Sequence, residues 1–257
     1  GGLPIAEDGQ LPSETGAGVY NVLHGGYDVA SDPDPSFIVS PRGALGRGIY
    51  FTPDFDRADD YAEAAAQELG GSETGLTRAY VRLNKPLVLR GAEANPMVEA
   101  LMILGVDRNR AVGIVERAEE AEGYVGDEVF RRARAQGYDG IVQLETEKAR
   151  TARIAEATRN RQRLAEIIER LPADAPEREQ LRDYLSPELP EELLRERASE
   201  VVAFEPTQVK SSDFNRGTFD PDDTRILFQK EEVAARPPTD NKYVLKAREM
   251  FDERKSP

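Results

Sequence analysis

An α+β fold is predicted by three features of this sequence. Short β-prone runs and helix-type stretches follow one another without the regular strand-helix-strand alternation of a doubly wound sheet. One stretch, residues 53 to 69, carries a helix start signal and a helical apolar period together. With 39% hydrophobic residues in a chain of 257, there is enough apolar surface for one main core with appendages.

Taken in order, residues 1 to 16 are rich in Gly, Pro and acids and lack periodicity, so they read as a flexible lead-in. Val19 to Leu23 is an apolar run that stops at His24-Gly25-Gly26, a strand delivering a histidine to a turn. Residues 28 to 48, with Asp-Pro-Asp-Pro, Ser-Pro-Arg-Gly and Gly-Arg-Gly, read as a long loop. Strand character resumes at Ile49 to Thr52. Thr52-Pro53-Asp54 then supplies an N-cap, a proline for the first turn and an early acid. In the helix that follows, Phe55, Ala58, Ala62, Ala65 and Leu69 recur at three- and four-residue steps and define its core face.

Thr77 to Leu89 alternates as one strand or as two around Lys85-Pro86, and residues 96 to 136 read as two or three helices, the last closed by Gly137. Gly137 to Val142 is a turn entering a strand; Glu200 to Phe204 and Arg225 to Phe228 are further strands. Residues 145 to 198 change character. Bases prevail from Glu147 to Leu171 and acids from Asp174 to Glu196, the charge pattern of a helical hairpin turning at Pro172 to Pro176 and protruding between two core strands. The expected organisation is a main domain over residues 17 to 230 with this insertion, then a linker and a helix over 231 to 257.

Composition narrows the chemistry. Forty-eight acids against 34 bases give a formal net charge of −14, which disfavours nucleic acid and anionic membrane as partners. No run of eighteen apolar residues and no charged-then-apolar leader stands in the chain, so a cytoplasmic setting is expected. There is no cysteine and one histidine, so thiol chemistry and multi-histidine metal centres drop out and no metal is expected. Carboxylates, hydroxyls, tyrosines and an organic cofactor or substrate are left.

Three segments carry polar or aromatic groups at strand ends: Leu23-His24-Gly25-Gly26, Gly46-Arg47-Gly48-Ile49-Tyr50-Phe51-Thr52, and Glu200 through Gln208-Val209-Lys210. Singly they are ordinary: a histidine beside glycines is commonly a turn residue, Tyr61 on an amphipathic helix is commonly core, and Glu200 could close an acidic helix. Together, in this order, with Tyr61 eleven positions after Tyr50 and Gln208 eight after Glu200, the set resembles the His-Tyr-Glu branch of the ADP-ribosyltransferases, the diphtheria-toxin and poly(ADP-ribose) polymerase type. It is most similar to the transferase domains of phage-encoded polyvalent proteins, over approximately residues 19 to 229 minus the insertion. The stretches Lys210-Ser211-Ser212, Asn215 to Pro221 and Ile226-Leu227-Phe228 share in the likeness.

The resemblance implies a split mixed or antiparallel sheet core with flanking helices, and NAD+ as substrate. It would set His24 on a ribose hydroxyl and the backbone of Gly25 on the nicotinamide amide, with Tyr50 and Tyr61 closing the two faces of the ring. Glu200 would be the catalytic carboxylate and Gln208 its companion. Arg42 or Arg47 would meet the pyrophosphate. The chain departs from the family pattern at Gly26, where Ser or Thr is common, and at Ala58, where a serine often binds the carboxamide. Glu205 is a rival carboxylate, but it lies five residues on, at opposite pleat parity, and precedes Pro206.

The chemistry suits one carboxylate. Nicotinamide leaves NAD+ without an acid because it departs from a cationic state, so an anion about 3 Å from the 2′-hydroxyl, placed to stabilise an oxocarbenium-like ribose, is the main requirement. The expected activity is transfer of ADP-ribose to a macromolecular acceptor, a protein first, inside a host cytoplasm and as part of a larger polyprotein. The rival readings are a NAD+ glycohydrolase and an inactive interaction module of the same fold; a tRNA 2′-phosphotransferase would want more bases around the site.

Overall fold

The structure of the chain, a computed structural model, describes residues 5–6, 9–27, 37, 39–68, 74–120, 124–172, 175, 178, 181, 185 and 194–211. The expected strand at 225 to 228, the linker and the C-terminal helix lie outside these residues, as does most of the second arm of the expected hairpin.

Two sheets form the frame. The first has the order β1-β2-β5-β9, from β1 (Ile5–Ala6), β2 (Gly18–Tyr27), β5 (Thr74–Leu83) and β9 (Val209–Ser211); it is antiparallel except for the two-residue β1. The second has the order β3-β4-β8-β7-β6, from β3 (Ser40–Gly43), β4 (Gly46–Phe51), β8 (Ala198–Ala203), β7 (Gly140–Leu144) and β6 (Pro86–Leu89), with β6 and β7 parallel. Helices α1 (Phe55–Glu68), α2 (Pro96–Ile103), α3 (Arg108–Glu120), α4 (Gly126–Ala135) and α5 (Glu147–Arg170), with a 3-10 turn at Pro206–Gln208 before β9, complete the described elements. The class is α+β, as the irregular alternation predicts.

The second sheet is buried on both faces. Ile49, Phe51, Val142, Leu144, Val201 and Ala203 pack with Tyr20, Val22, Val81 and Leu83 of the first sheet. On the other face Leu87, Leu89, Ile141, Val202 and Phe204 pack with apolar residues of α2, α3 and α4. This explains why β7 and β8 read as nearly continuous apolar runs where a one-sided strand would alternate.

Several elements depart from the sequence expectation, each where a long-range partner overrides local preference. β2 does not stop at His24: it pairs with β5 through Tyr27↔Thr74, so His24, Gly25 and Gly26 lie in the strand. Part of the expected loop 28 to 48 is the β3-β4 hairpin, turning at Ala44-Leu45 into Gly46, whose φ of 113° suits glycine. The lead-in contributes β1, and β9 is a strand that its three residues gave no local sign of. Helix α1 begins at Phe55, which is 45% exposed at the helix start and so is not on the expected core face. Ala58 and Ala62 are buried on it, and the side chain of Ala65 and all of Leu69 lie outside the described residues. Asp54 Oδ1 accepts from Arg57 N and is the cap, whereas Thr52 Oγ1 accepts from Asp54 N and donates to Ser199 O, locking the preceding turn. Thr77 to Leu89 resolves into two strands, and residues 96 to 136 into three helices with Gly137 at φ 80° after the last.

Candidate active site

The two sheets meet where Leu23 of β2 and Thr52, just past β4, exchange backbone hydrogen bonds of 2.8 and 2.9 Å. Tyr50 is registered opposite Val202, and Glu200 stands two residues before Val202, so Tyr50 and Glu200 share one face of the second sheet. His24 arrives from the first sheet and Tyr61 from α1. These four, with Gly25, Gly43 and Ala64, line a cavity of about 260 Å3. That is just below the usual range of small-molecule sites, ~300–1,000 Å3, and fits part of a dinucleotide.

His24 is fixed through one ring nitrogen. Its Nδ1 lies 2.8 Å from the Tyr50 carbonyl oxygen, which only accepts, so Nδ1 carries the proton and the neutral ring keeps Nε2 as an acceptor. Burial holds the imidazole pKa below its ordinary value, more strongly than the hydrogen bond to Tyr50 raises it. The ring packs edge-on to Phe37 at 5.1 Å and tilted on Phe51 at 5.4 Å. Nε2 sits over Gly26: a Cβ there would come within 2.8 Å of it.

The glycines around the cavity are set by close approach. A Cβ on Gly25 would lie 1.8 Å from the Ala58 carbonyl oxygen, so β2 and α1 touch backbone to backbone. Ala58 is fully buried at that contact, which gives it a packing role; the residue of α1 that lines the cavity beside Tyr61 is Ala64. A Cβ on Gly43 would fall 2.0 Å from the Tyr50 ring, so the ring lies flush on the β3 backbone. The Tyr50 hydroxyl accepts from Leu45 N at 2.9 Å and donates to Gly46 O.

Glu200 is 1% exposed. Its Oε2 is held by Arg57 Nη2 and accepts from the Tyr61 hydroxyl at 3.3 Å, while Arg57 Nε donates to the Tyr61 oxygen at 3.0 Å. Its Oε1 is buried with no hydrogen-bond partner among the described residues. Burial pushes the carboxyl above the usual carboxylate range, with Arg57 pulling against it. Burial, and then the Glu200 charge, push the Tyr61 hydroxyl up as well, so Tyr61 stays a donor.

Other expected site residues are placed elsewhere. Arg47 is exposed and lies over the Phe130 ring at 5.8 Å, outside the cavity lining. Arg42 belongs to β3 by its backbone, and its side chain is outside the described set. Gln208 acts as a structural lock: its Oε1 accepts from Glu205 N, and its Nε2 donates to the carbonyls of Asp139 and Arg82. Glu205 pairs with Arg134 at 2.9 Å, away from the cavity. Arg57 is the residue the sequence reading misses. Its signal was present, as the single base among residues 53 to 69 and one helical turn before Tyr61. Among the described residues, no group of His, Asp or Glu is arranged to hold a metal ion, and no helix is long and apolar enough to cross a membrane.

Compared with known proteins, the chain matches the model of a family described as ADP-ribosyltransferase in polyvalent proteins, over residues 19–219. No curated protein and no solved structure matches it.

Proposed function

The chain belongs to the family of ADP-ribosyltransferases in polyvalent proteins, and from that premise we propose that it cleaves NAD+ at the nicotinamide-ribose bond and passes ADP-ribose to a macromolecular acceptor, a protein. One observation carries the reading. His24, Tyr50, Tyr61 and Glu200, from four separate elements, converge on one cavity, and the carboxyl there has one oxygen buried without a partner among the described residues.

In this reading the nicotinamide ring lies between Tyr50 and Tyr61, whose apolar faces suit a planar aromatic. His24 Nε2 accepts from a ribose hydroxyl. Glu200 Oε1 accepts from the 2′-hydroxyl, and the pairing of that lone oxygen with a donor strengthens as positive charge grows on the ribose. The C1′–N bond breaks with its electron pair going to the nicotinamide nitrogen, which cancels the ring charge. An acceptor O–H or N–H then bonds to C1′ and releases its proton to the Glu200 carboxylate and on to water. His24 moves no proton, which its buried, neutral ring supports.

The test is to incubate the full chain, and its Glu200→Gln variant, with NAD+ labelled in the adenylate and with a host extract. Labelled protein from the wild type, reduced by about 10²-fold or more in the variant, is the expected result. Nicotinamide release without labelled protein would move the reading to a NAD+ glycohydrolase. Equal labelling by both proteins would overturn the role of Glu200.

A further inference from the structure

The feature that the mechanism leaves over is Arg57. Its guanidinium makes a fork with Nη2 on Glu200 Oε2 and Nε on the Tyr61 hydroxyl, which itself donates to the same Oε2. Arg57 is 38% exposed while Glu200 is 1% exposed, so a half-solvated cation holds a buried anion from one side. Arg57 also lines a groove of about 630 Å3, together with Asp54, Glu145, Glu156, Arg153 and Arg197. Around Glu200 itself the facing groups are Arg57 and Tyr61 from α1 and Tyr50 from β4, with uncharged Gln143 opposite on β7; His24 of β2 lines the same cavity.

We propose that Arg57 is the positioning residue of this site: it keeps Glu200 ionised and occupies Oε2, so that Oε1 is the oxygen left to meet the substrate. The proposal rests on the reading of the cavity as the NAD+ site. The reason is the balance of burial against charge. A carboxylate removed from water protonates unless a cation or several donors hold it. Among the described residues Glu200 has Arg57 and one long hydrogen bond from Tyr61, so without Arg57 the buried carboxyl would hold its proton to higher pH and offer less stabilisation to a cationic ribose. A lysine at 57 would restore the charge. Its single ammonium lacks the planar fork that binds Glu200 and Tyr61 together.

The experiment uses the full chain as wild type, Arg57→Gln and Arg57→Lys. Two readouts are taken: the titration of the Glu200 carboxyl by isotope-edited infrared or carbon NMR, assigned by difference with Glu200→Gln, and the pH dependence of nicotinamide release. In Arg57→Gln the carboxyl midpoint and the rising limb of the rate profile both move up, by about one pH unit or more. The loss in kcat, about tenfold or more near pH 7, is then largely recovered at high pH. Arg57→Lys returns the midpoint toward that of the wild type with kcat still reduced. An unmoved carboxyl midpoint in Arg57→Gln, or a loss of rate that is the same at every pH, overturns the proposal. Should Arg57→Gln not fold, Arg57→Lys decides alone: reduced kcat at an unmoved midpoint supports positioning, and wild-type kcat overturns it. A wild type that releases no nicotinamide would sink the NAD+ reading by itself, and the carboxyl titration would still decide the role of Arg57.

Discussion

At the scale of single residues, the buried Glu200 couples the site to stability. Its folded-state pKa is raised, so its contribution to stability is fully present below the unfolded value, near 4.3, and is lost as pH rises through the folded value. Ionising this buried carboxyl as pH rises therefore costs stability. Glu200→Gln removes the charge and leaves the half-solvated Arg57 facing water. The variant is expected to melt above the wild type at pH 7.5, with the difference shrinking as pH falls toward about 4. Scanning calorimetry across that range checks it, and a lower melting temperature at pH 7.5 would count against the burial argument. Much of the residue set was legible beforehand, because His24, Tyr50, Tyr61 and Glu200 stand in a recognisable order and spacing. Arg57 was not, because a base on an acidic helix has many exposed solutions, and only the fold shows which carboxylate it meets.

At the scale of elements, the glycines separate packing from placement. Gly25 lets β2 lie against α1, with its would-be Cβ 1.8 Å from the Ala58 carbonyl oxygen, so the neighbour is backbone and cannot turn aside. Gly43 lets the Tyr50 ring lie on the short edge strand β3. Gly25→Ala is expected to cost about 1–3 kcal/mol or more, since α1 must shift bodily, and denaturant unfolding measures it. Gly43→Ala displaces Tyr50 at the sheet edge, and its main effect is expected on KM for NAD+, with a smaller loss of stability. If the two variants lose stability equally and Gly43→Ala keeps the wild-type KM, the seat assigned to Tyr50 is wrong. The same two contacts explain why the sequence placed β2 and β3 poorly. Glycine lowers local strand preference, yet it is required here because another backbone or ring comes so close.

At the scale of the whole molecule, residues 146 to 196 connect two neighbouring antiparallel strands. Leu144 is registered with Ala198, and Glu145 N donates to Arg197 O at 2.8 Å, so the ends of the connection already stand as the ends of a hairpin. Helix α5 is capped by Thr146, whose side chain accepts from Ala149 N, and it buries Ile168. Replacing 146 to 196 by Asn-Gly, the pair that suits a two-residue hairpin turn, is expected to leave a cooperatively folding chain that still releases nicotinamide. Circular dichroism melting and a nicotinamide assay check this. Loss of cooperative unfolding would make the segment part of the main core.

The sequence by itself determined the α+β class, the helical character of residues 96 to 136, the burial of Ala58 and Ala62 on α1, and the family to which the chain belongs. These depend on composition, on short-range periodicity and on side chains at fixed spacings, all of which are local. Only the tertiary structure decided that β2 runs on through His24, that Ser40 to Phe51 folds as a hairpin, that Val209 to Ser211 is a strand, and that Arg57 holds Glu200. Strand pairing and buried ion pairs draw their free energy from partners far away in the chain, here 143 residues apart for Arg57 and Glu200. No local pattern of residues specifies such a partner.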